Sequence, residues 1–189
     1  YVRIMLGDWN MVDVIRETLY SNRNISDDVK DNLFELIIVF NERFPEVSLD
    51  NLNNRLMSLK IEKVSKYLRR TISYYDFRKN ILYFNIEEIK KGYDMKHILM
   101  FELLNIITST KHHTGFNLDN KFEALNVGFT EILANYLVGN NGDKFIYPDE
   151  AISANLISII VGAENLHISY FNNDARYLME SFVKAGLKL

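Results

Sequence analysis

A single carboxylate stands at the centre of a strongly apolar stretch of the chain. The residues from His97 to Thr108 suffice for about three helical turns and are apolar on nearly every face, which is typical of a buried helix. Glu102 lies in the middle of this stretch, and a glutamate is almost never fully buried unless another group pairs with it. Glu102 is therefore the first candidate functional residue, as a catalytic base or as a polar contact inside the fold.

The pattern Phe101-Glu102-Leu103-Leu104-Asn105 resembles the H-E-x-x-H motif of the zincin metallopeptidases. In that motif two histidines four residues apart bind zinc from one helix face, and the glutamate is the general base acting on the metal-bound water. By this resemblance Glu102 occupies the general-base position. Phe101 and Asn105 then occupy the two ligand positions.

A second segment, residues 126–131, resembles the N-E-G-x-x-E segment of the gluzincin branch of the zincins. In that branch the glutamate after the asparagine is the third zinc ligand, and the acid four residues later orients a ligand histidine. By the resemblance Val127 stands at the third ligand position and Glu131 at the position of the orienting acid. Asn126 and Gly128 match the family pattern.

The substituted residues cannot bind zinc in the way the family does. Phe101 and Val127 offer no lone pair, and the neutral amide of Asn105 is a poor zinc ligand beside imidazole, carboxylate or thiolate. Without a metal, water keeps a high pKa, and Glu102 alone cannot make it an effective nucleophile. The resemblance, which covers roughly residues 67–189, therefore implies a catalytically inactive pseudoenzyme with no metal and no cofactor. Glu102 and Glu131 are then expected to be paired or protonated polar contacts within the fold.

A relocated metal site is the main alternative. Four histidines are available to it: His97, His112, His113 and His167. An active metal-dependent hydrolase would need Glu102 and Glu131 to converge with one or more of the last three. For each histidine a surface position or a satisfied place in the core is the favoured interpretation, because an isolated histidine is a weak signal.

The elements that must position these residues begin with three predicted helices. Asp8, Ser26 and Ser48 are the predicted capping residues. The prediction is strongest for the second helix, because two acids follow Ser26 in its first turn. Pro45 is expected to end the second helix.

The period of the pattern then changes from helical to alternating. Residues 71–75 and 81–85 predict a β-hairpin joined by a polar turn, and residues 61–67 are a candidate for a further strand. Helices follow again, at roughly Met95 to Thr110, about Phe122 to Val138 ended by Gly139, Pro148 to Gly162, Glu164 to Phe171, and Asp174 to Leu187.

This order predicts an α+β fold that is mostly helical. The resemblance implies a zincin-like arrangement, with a small antiparallel sheet or hairpin packed on the central buried helix and a helical C-terminal part. Residues 1–189 are expected to form a single zincin-like domain, with 1–60 an N-terminal helical portion and 61–189 the motif-bearing part. A helical interaction module unrelated to zincins is the remaining alternative, and it predicts no antiparallel sheet ahead of the central helix.

Composition limits the partners and leaves the compartment open. A net charge of −3 with interspersed charges gives no footprint for nucleic acid, and zero cysteines exclude disulfides and thiolate metal sites. No apolar run is long enough to predict a membrane span. The chain begins at Tyr1, so a soluble domain of a longer bacterial protein is expected, cytoplasmic or extracytoplasmic according to whether a leader or anchor was removed. If the family's cleft survives, the expected partner is a protein or peptide that adds a strand to the sheet edge; the oligomeric state stays open.

Overall fold

The computed structural model describes residues 5–65, 71–117, 121–140 and 145–186. Those residues form nine helices and three strands, which confirms the predicted α+β, mostly helical class. The chain divides into two compact units, residues 1–107 and 108–189. The single zincin-like domain stays a prediction, and the boundary between the two units falls at residue 107, whereas the sequence suggested an internal division near residue 60.

The first unit combines helices with the sheet. Its elements are α1 (Met5–Ser21), α2 (Asp27–Arg43), α3 (Asp50–Leu56), β1 (Lys60–Val64), β2 (Ser73–Asp76), β3 (Ile81–Asn85), α4 (Ile86–Ile89) and α5 (Met95–Ile107). Helix α5 packs against α2, α3 and β2, while α1 packs against α2 and α3.

Helix α2 begins and ends where the sequence predicts. Ser26 has the extended backbone of an N-cap residue, and Asp27 and Asp28 fill the first turn, where carboxylates favour the positive end of the helix. The Ser26 hydroxyl bonds to the Asp28 carboxylate instead of capping a backbone N–H, and this bond lowers the pKa of Asp28. The helix ends at Arg43, ahead of Pro45.

Several helix boundaries differ from the expectation, and α3 has Leu49 rather than the predicted Ser48 at its N-cap position. Helix α1 contains Asp8 in its interior, since residues 5–7 include no proline and extend the helix toward the N-terminus. Helix α4 escapes prediction because four residues are too few for a periodic pattern, although Asn85 caps it by accepting a hydrogen bond from the Glu87 backbone N–H at 3.2 Å. Helix α5 ends at Ile107 rather than Thr110.

Two asparagine side chains hold α3 in place. The Asn51 amide donates to the carbonyls of Ile106 and Ile107 at 3.2 and 2.9 Å, and thereby satisfies the last carbonyls of α5 where that helix stops. The Asn22 amide, 4% exposed, donates to the carbonyls of Leu56 and Leu59 at 2.7 and 2.9 Å. The end of α3 is therefore tied to the loop after α1 by buried hydrogen bonds.

The sheet is mixed rather than antiparallel. Strands β2 and β3 form the predicted hairpin, with Tyr74 opposite Tyr83, and Asn80 takes a positive φ of 57° in the turn. Strand β1 pairs with the other edge of β3, with Lys60 opposite Ile81, but runs parallel to it, so the order is β1-β3-β2. The antiparallel expectation is wrong for β1 because a strand's own pattern does not encode its pairing direction. Residues 66–67 of the predicted third strand lie outside the described residues.

The second unit is helical, as predicted for the C-terminal part. It contains α6 (Glu123–Leu137), α7 (Pro148–Val161), α8 (Ala163–Phe171) and α9 (Arg176–Gly186). Gly139 follows α6 with a φ of 77°, and Gly162, with a φ of 92°, separates α7 from α8. The rings of Phe116, Phe129 and Tyr170 form its aromatic centre, with centroids 5.3 to 6.0 Å apart.

Helix length and hydropathy were compared with the requirements of a membrane span. Within the described part of the chain, no single helix is both long and apolar enough to cross a membrane. Helices α7 and α8 meet the criterion only as a pair, by length and composition, and they are bent by 111° at the break between them.

The Asn22 hydrogen bonds generate a stability prediction. Replacing Asn22 by Ala leaves two buried carbonyls without their donor, so the free energy of unfolding is expected to fall by about 3 kcal/mol. Urea denaturation measures the change. Asn24→Ala, at an exposed position two residues along, is the matched control and is expected to change stability little. Equal effects of the two substitutions would contradict the assignment.

Candidate functional site

Helix α5 carries the candidate general base inside the first unit. Between His97 and Ile107 ten residues are buried, and Asn105 is half-buried. This part of the helix therefore has no face that is exposed to water. Glu102 is 1% exposed. The carboxylate is thus held within a helix whose apolar neighbours fix its position.

Two neutral side chains contact the Glu102 carboxyl. The Asn105 amide, one turn later on the same helix, donates to Oε2 at 3.2 Å. The Ser73 hydroxyl on β2 also forms a hydrogen bond with it. These bonds join α5 to the hairpin through a polar contact in an otherwise apolar region.

The burial of Glu102 changes its acidity. Desolvation raises the pKa of Glu102 from 4.5 to about 7, although the hydrogen bonds from Ser73 and Asn105 act in the opposite direction by stabilising the charged form. The carboxyl therefore exchanges its proton near neutral pH. A pKa in that range suits a general acid or base, provided that the group can reach a substrate.

The two neighbouring motif positions on α5 carry no metal-ligand chemistry. Phe101 is 7% exposed and packs in the core of the first unit. The Asn105 amide is engaged with Glu102, so its side chain serves the carboxyl. The helix places both residues one turn apart, as the motif requires, but with an aromatic ring and an amide where the family has imidazoles.

Tyr74 lies next to this cluster, and its sequence context does not mark it as a functional residue. Its side chain is 48% exposed on β2, immediately after Ser73. Burial raises the pKa of the Tyr74 hydroxyl, and the charges of Asp76 and Glu102 raise it further. Neither Ser73 nor Tyr74 stands out in sequence, because aromatic and small polar residues in strands are ordinarily core or surface. Only the register of the hairpin against α5 identifies them.

The second unit contains the other motif, and there Glu131 has a structural contact. Glu131 is fully buried on α6, and its Oε1 accepts a hydrogen bond from the backbone N–H of Ile146 at 2.5 Å. Ile146 lies just before α7. This hydrogen bond ties α6 to the segment that enters α7.

Gly128 and Asn126 also contribute to packing within the second unit. A Cβ at Gly128 would overlap the backbone carbonyl of Glu150, so only glycine allows α6 and α7 to approach this closely. The backbone carbonyl of Asn126 accepts from the Thr130 hydroxyl at 2.7 Å, and Thr130 in turn bonds the Tyr170 hydroxyl at 2.8 Å. Val127, between them, is half-buried.

The four histidines occupy different environments. His97 is 1% exposed within α5 and His112 is exposed. His113 Nδ1 lies 3.1 Å from the carbonyl of Gly115, and the His167 ring lies 4.7 Å from that of Phe171. Among the residues that the structure describes, no three or more histidine, aspartate or glutamate side chains form a group that could hold a metal ion. The relocated-site alternative gains no support from this result.

The chain was also compared with known proteins. No protein-family model, curated protein or solved structure matches it. The resemblance to zincins therefore stays a prediction carried by the motif residues themselves.

The acidity of Glu102 predicts a pH dependence of stability. Between pH 4.5 and about 7 the folded protein keeps the Glu102 proton that the unfolded chain has released, so the free energy of unfolding falls as pH rises through this window. Glu102→Gln removes the effect and is expected to gain stability relative to the unmodified chain, by up to about 3 kcal/mol above pH 7. Urea denaturation at about pH 5, 6, 7 and 8 measures the difference.

The exposed Glu62→Gln substitution is the control for loss of one carboxyl. The opposite outcome is that Glu102→Gln and the unmodified chain differ in free energy of unfolding by the same amount at every pH. That result would contradict the assignment of a raised pKa to Glu102.

The contact at Gly128 predicts a packing defect. Gly128→Ala forces α6 away from the Glu150 carbonyl and is expected to lower the free energy of unfolding by about 2 kcal/mol or more. Gly186→Ala, in α9 with open space around the added methyl group, is the matched control and is expected to be neutral or slightly stabilising. Thermal unfolding of both variants compares them, and a neutral Gly128→Ala would show that the close helix contact is misplaced.

Proposed function

We propose that the chain is a catalytically inactive, zincin-like domain that acts as a binding or structural module of a larger protein. The observation that supports this proposal is the closed environment of Glu102. The residue at the general-base position is 1% exposed and bonded to Ser73 and Asn105. A general base must approach the proton that it removes to within about 3 Å, directly or through one water.

The chemistry of the other positions supports the same proposal. Phe101 and Val127 have no lone pair, and the amide of Asn105 is engaged with Glu102. A carboxyl with a pKa of about 7 can move a proton, but it needs an activated nucleophile or a metal-bound water to hydrolyse a peptide bond. The retained residues Glu102, Gly128 and Glu131 each have a packing or hydrogen-bonding role that accounts for their presence.

The sheet offers a mode of binding for such a module. Strand β2 stands at one edge of the described three-stranded sheet and exposes the Tyr74 side chain. An extended protein or peptide segment can add a strand to an edge of this kind through backbone hydrogen bonds, with alternate side chains giving specificity.

The alternatives are less well supported. A hydrolase with a relocated metal needs a ligand group, and none is found among the described residues. A helical module unrelated to zincins predicts no antiparallel sheet ahead of the central helix, whereas β2 and β3 are antiparallel and β2 packs on α5.

Restoring the ligands tests both the inactivity and the motif correspondence. The purified chain is expected to contain no stoichiometric zinc by elemental analysis and to lack peptidase activity. The double variant Phe101→His and Asn105→His, with both substitutions on α5, is expected to gain zinc binding by calorimetric titration, because two imidazoles four residues apart replace side chains that cannot coordinate. The single variant Asn105→His offers only one imidazole and is expected to bind zinc at least about tenfold more weakly.

The two parts of the proposal fail separately. Stoichiometric zinc or metal-dependent peptidase activity in the unmodified chain would contradict the proposed inactivity. A double variant that folds, as shown by circular dichroism, but gains no zinc affinity over the single variant would contradict the motif correspondence alone.

A further inference from the structure

Helix α7 in the second unit is apolar on two opposite faces. The inner face is buried through Ala151, Ala154 and Val161. The outer face exposes Ile152, Leu156, Ile159 and Ile160, at 58%, 57%, 73% and 57%. Four large aliphatic side chains on the water-facing side of one helix are unusual for a surface helix, which normally carries polar residues there.

The outer face of α7 also lacks charge. Residues 151–163 contain no Asp, Glu, Lys or Arg, so no charged side chain in this span solvates the exposed stripe. Contiguous exposed apolar surface of this kind marks an interaction site in a folded protein.

The spacing of the exposed residues fits a helical partner. Ile152, Leu156 and Ile159 follow one another at intervals of four and three, which aligns them in a single stripe along the helix. The same spacing forms the seam between paired helices, where each side chain inserts between residues of the facing helix.

Helix α9 carries further exposed apolar side chains in the same unit. It packs beside α7 and α8 and exposes Tyr177, Met179, Phe182 and Val183. A standard stable interface buries roughly 800 Å² per partner, so the four aliphatic side chains of α7 would need further contacts such as those of α9 to reach that size.

We propose that two copies of this chain associate through the outer face of α7, with the exposed residues of α9 at the margin. A twofold interface places each patch against its own copy, so any charge in the patch would face a like charge. An uncharged aliphatic stripe avoids that repulsion and is complementary to itself. This property favours a second copy over a charged protein partner.

A lipid surface fits the same face less well. Helices that lie on anionic membranes carry lysine or arginine along their polar side and aromatic residues at the interface. The exposed stripe of α7 is aliphatic, and the first turn of the helix carries Asp149 and Glu150, which anionic lipid would repel.

The acids at the start of α7 also select the orientation of the two helices. In a parallel pair Asp149 and Glu150 would meet the same acids of the other copy. In an antiparallel pair they lie beside the C-terminal end of the partner helix, and opposite ends of the two helix dipoles adjoin. The stripe from Ile152 to Ile160 is centred on Leu156, which places the twofold axis near that residue.

Sedimentation equilibrium of the chain tests the association. The unmodified protein is expected to show twice the 22.2 kDa mass of one chain, in a concentration series from about 1 to about 100 μM. Ile159→Glu places a charge against its own copy and is expected to raise the dissociation constant at least about 100-fold. Met57→Glu, which replaces another strongly exposed apolar residue in the first unit, is the matched control and is expected to leave the dimer intact.

Single cysteines test the orientation, because the chain has none of its own. Leu156→Cys is expected to form an intermolecular disulfide under mild oxidation, since the two Leu156 positions adjoin the axis. Ile152→Cys is expected to cross-link poorly, because it faces the far end of the partner stripe in an antiparallel pair. Met57→Cys reports the background rate.

Four results would overturn the proposal. They are a monomer across the concentration series, a dimer unchanged by Ile159→Glu, cross-linking of Leu156→Cys no faster than that of Met57→Cys, and a monomer that binds anionic vesicles through the α7 stripe. Equal cross-linking of Ile152→Cys and Leu156→Cys would overturn the antiparallel orientation. Because Ile159 is an exposed residue, circular dichroism is expected to show an unchanged fold in the glutamate variant, and the cysteine variants test the same face without adding charge.

Discussion

The removal of the Glu102 carboxyl from water is the constraint around which the first unit is arranged. Its partners, the Ser73 hydroxyl and the Asn105 amide, are neutral, so they satisfy hydrogen bonds without supplying an opposite charge. Burying the carboxyl costs free energy. The apolar residues on either side of it along α5 are buried with it, and the free energy gained by their burial exceeds that cost. The same contact links the hairpin to the helix, so the position of β2 depends on a polar side chain in the middle of an apolar helix.

The second unit uses its polar residues in a comparable way. Glu131 supports the chain where it enters α7, and Gly128 allows the backbones of α6 and α7 to approach closely. Thr130 and the Tyr170 hydroxyl form a hydrogen bond within the aromatic centre. Packing and hydrogen bonding therefore account for the presence of Gly128, Thr130 and Glu131 without any metal.

Local chemistry explains which parts of the fold could be predicted from sequence. The start of α2, the hairpin of residues 71–85 and the stop at Gly139 depend on neighbouring residues, so composition and period were sufficient. The parallel pairing of β1 depends on the direction in which β3 runs beside it, and no pattern within β1 encodes that direction. At the candidate site the burial of Glu102 was predictable from α5 alone. The hydrogen bond between Glu102 and Ser73 could not be predicted, because the two residues are far apart in sequence and meet only through the register of the hairpin.

The two edges of the described sheet differ in a way that bears on folding in a crowded solution. Strand β1 exposes Lys60, Glu62 and Lys63 along one edge. Charged side chains on an edge strand discourage the sheet from growing by addition of another chain, because each added strand would bring like charges together and strip them of water. Edge β2, with α5 packed against it and Tyr74 at its surface, lacks this density of charge. The charged side chains of β1 consequently protect that edge of the sheet from aggregation.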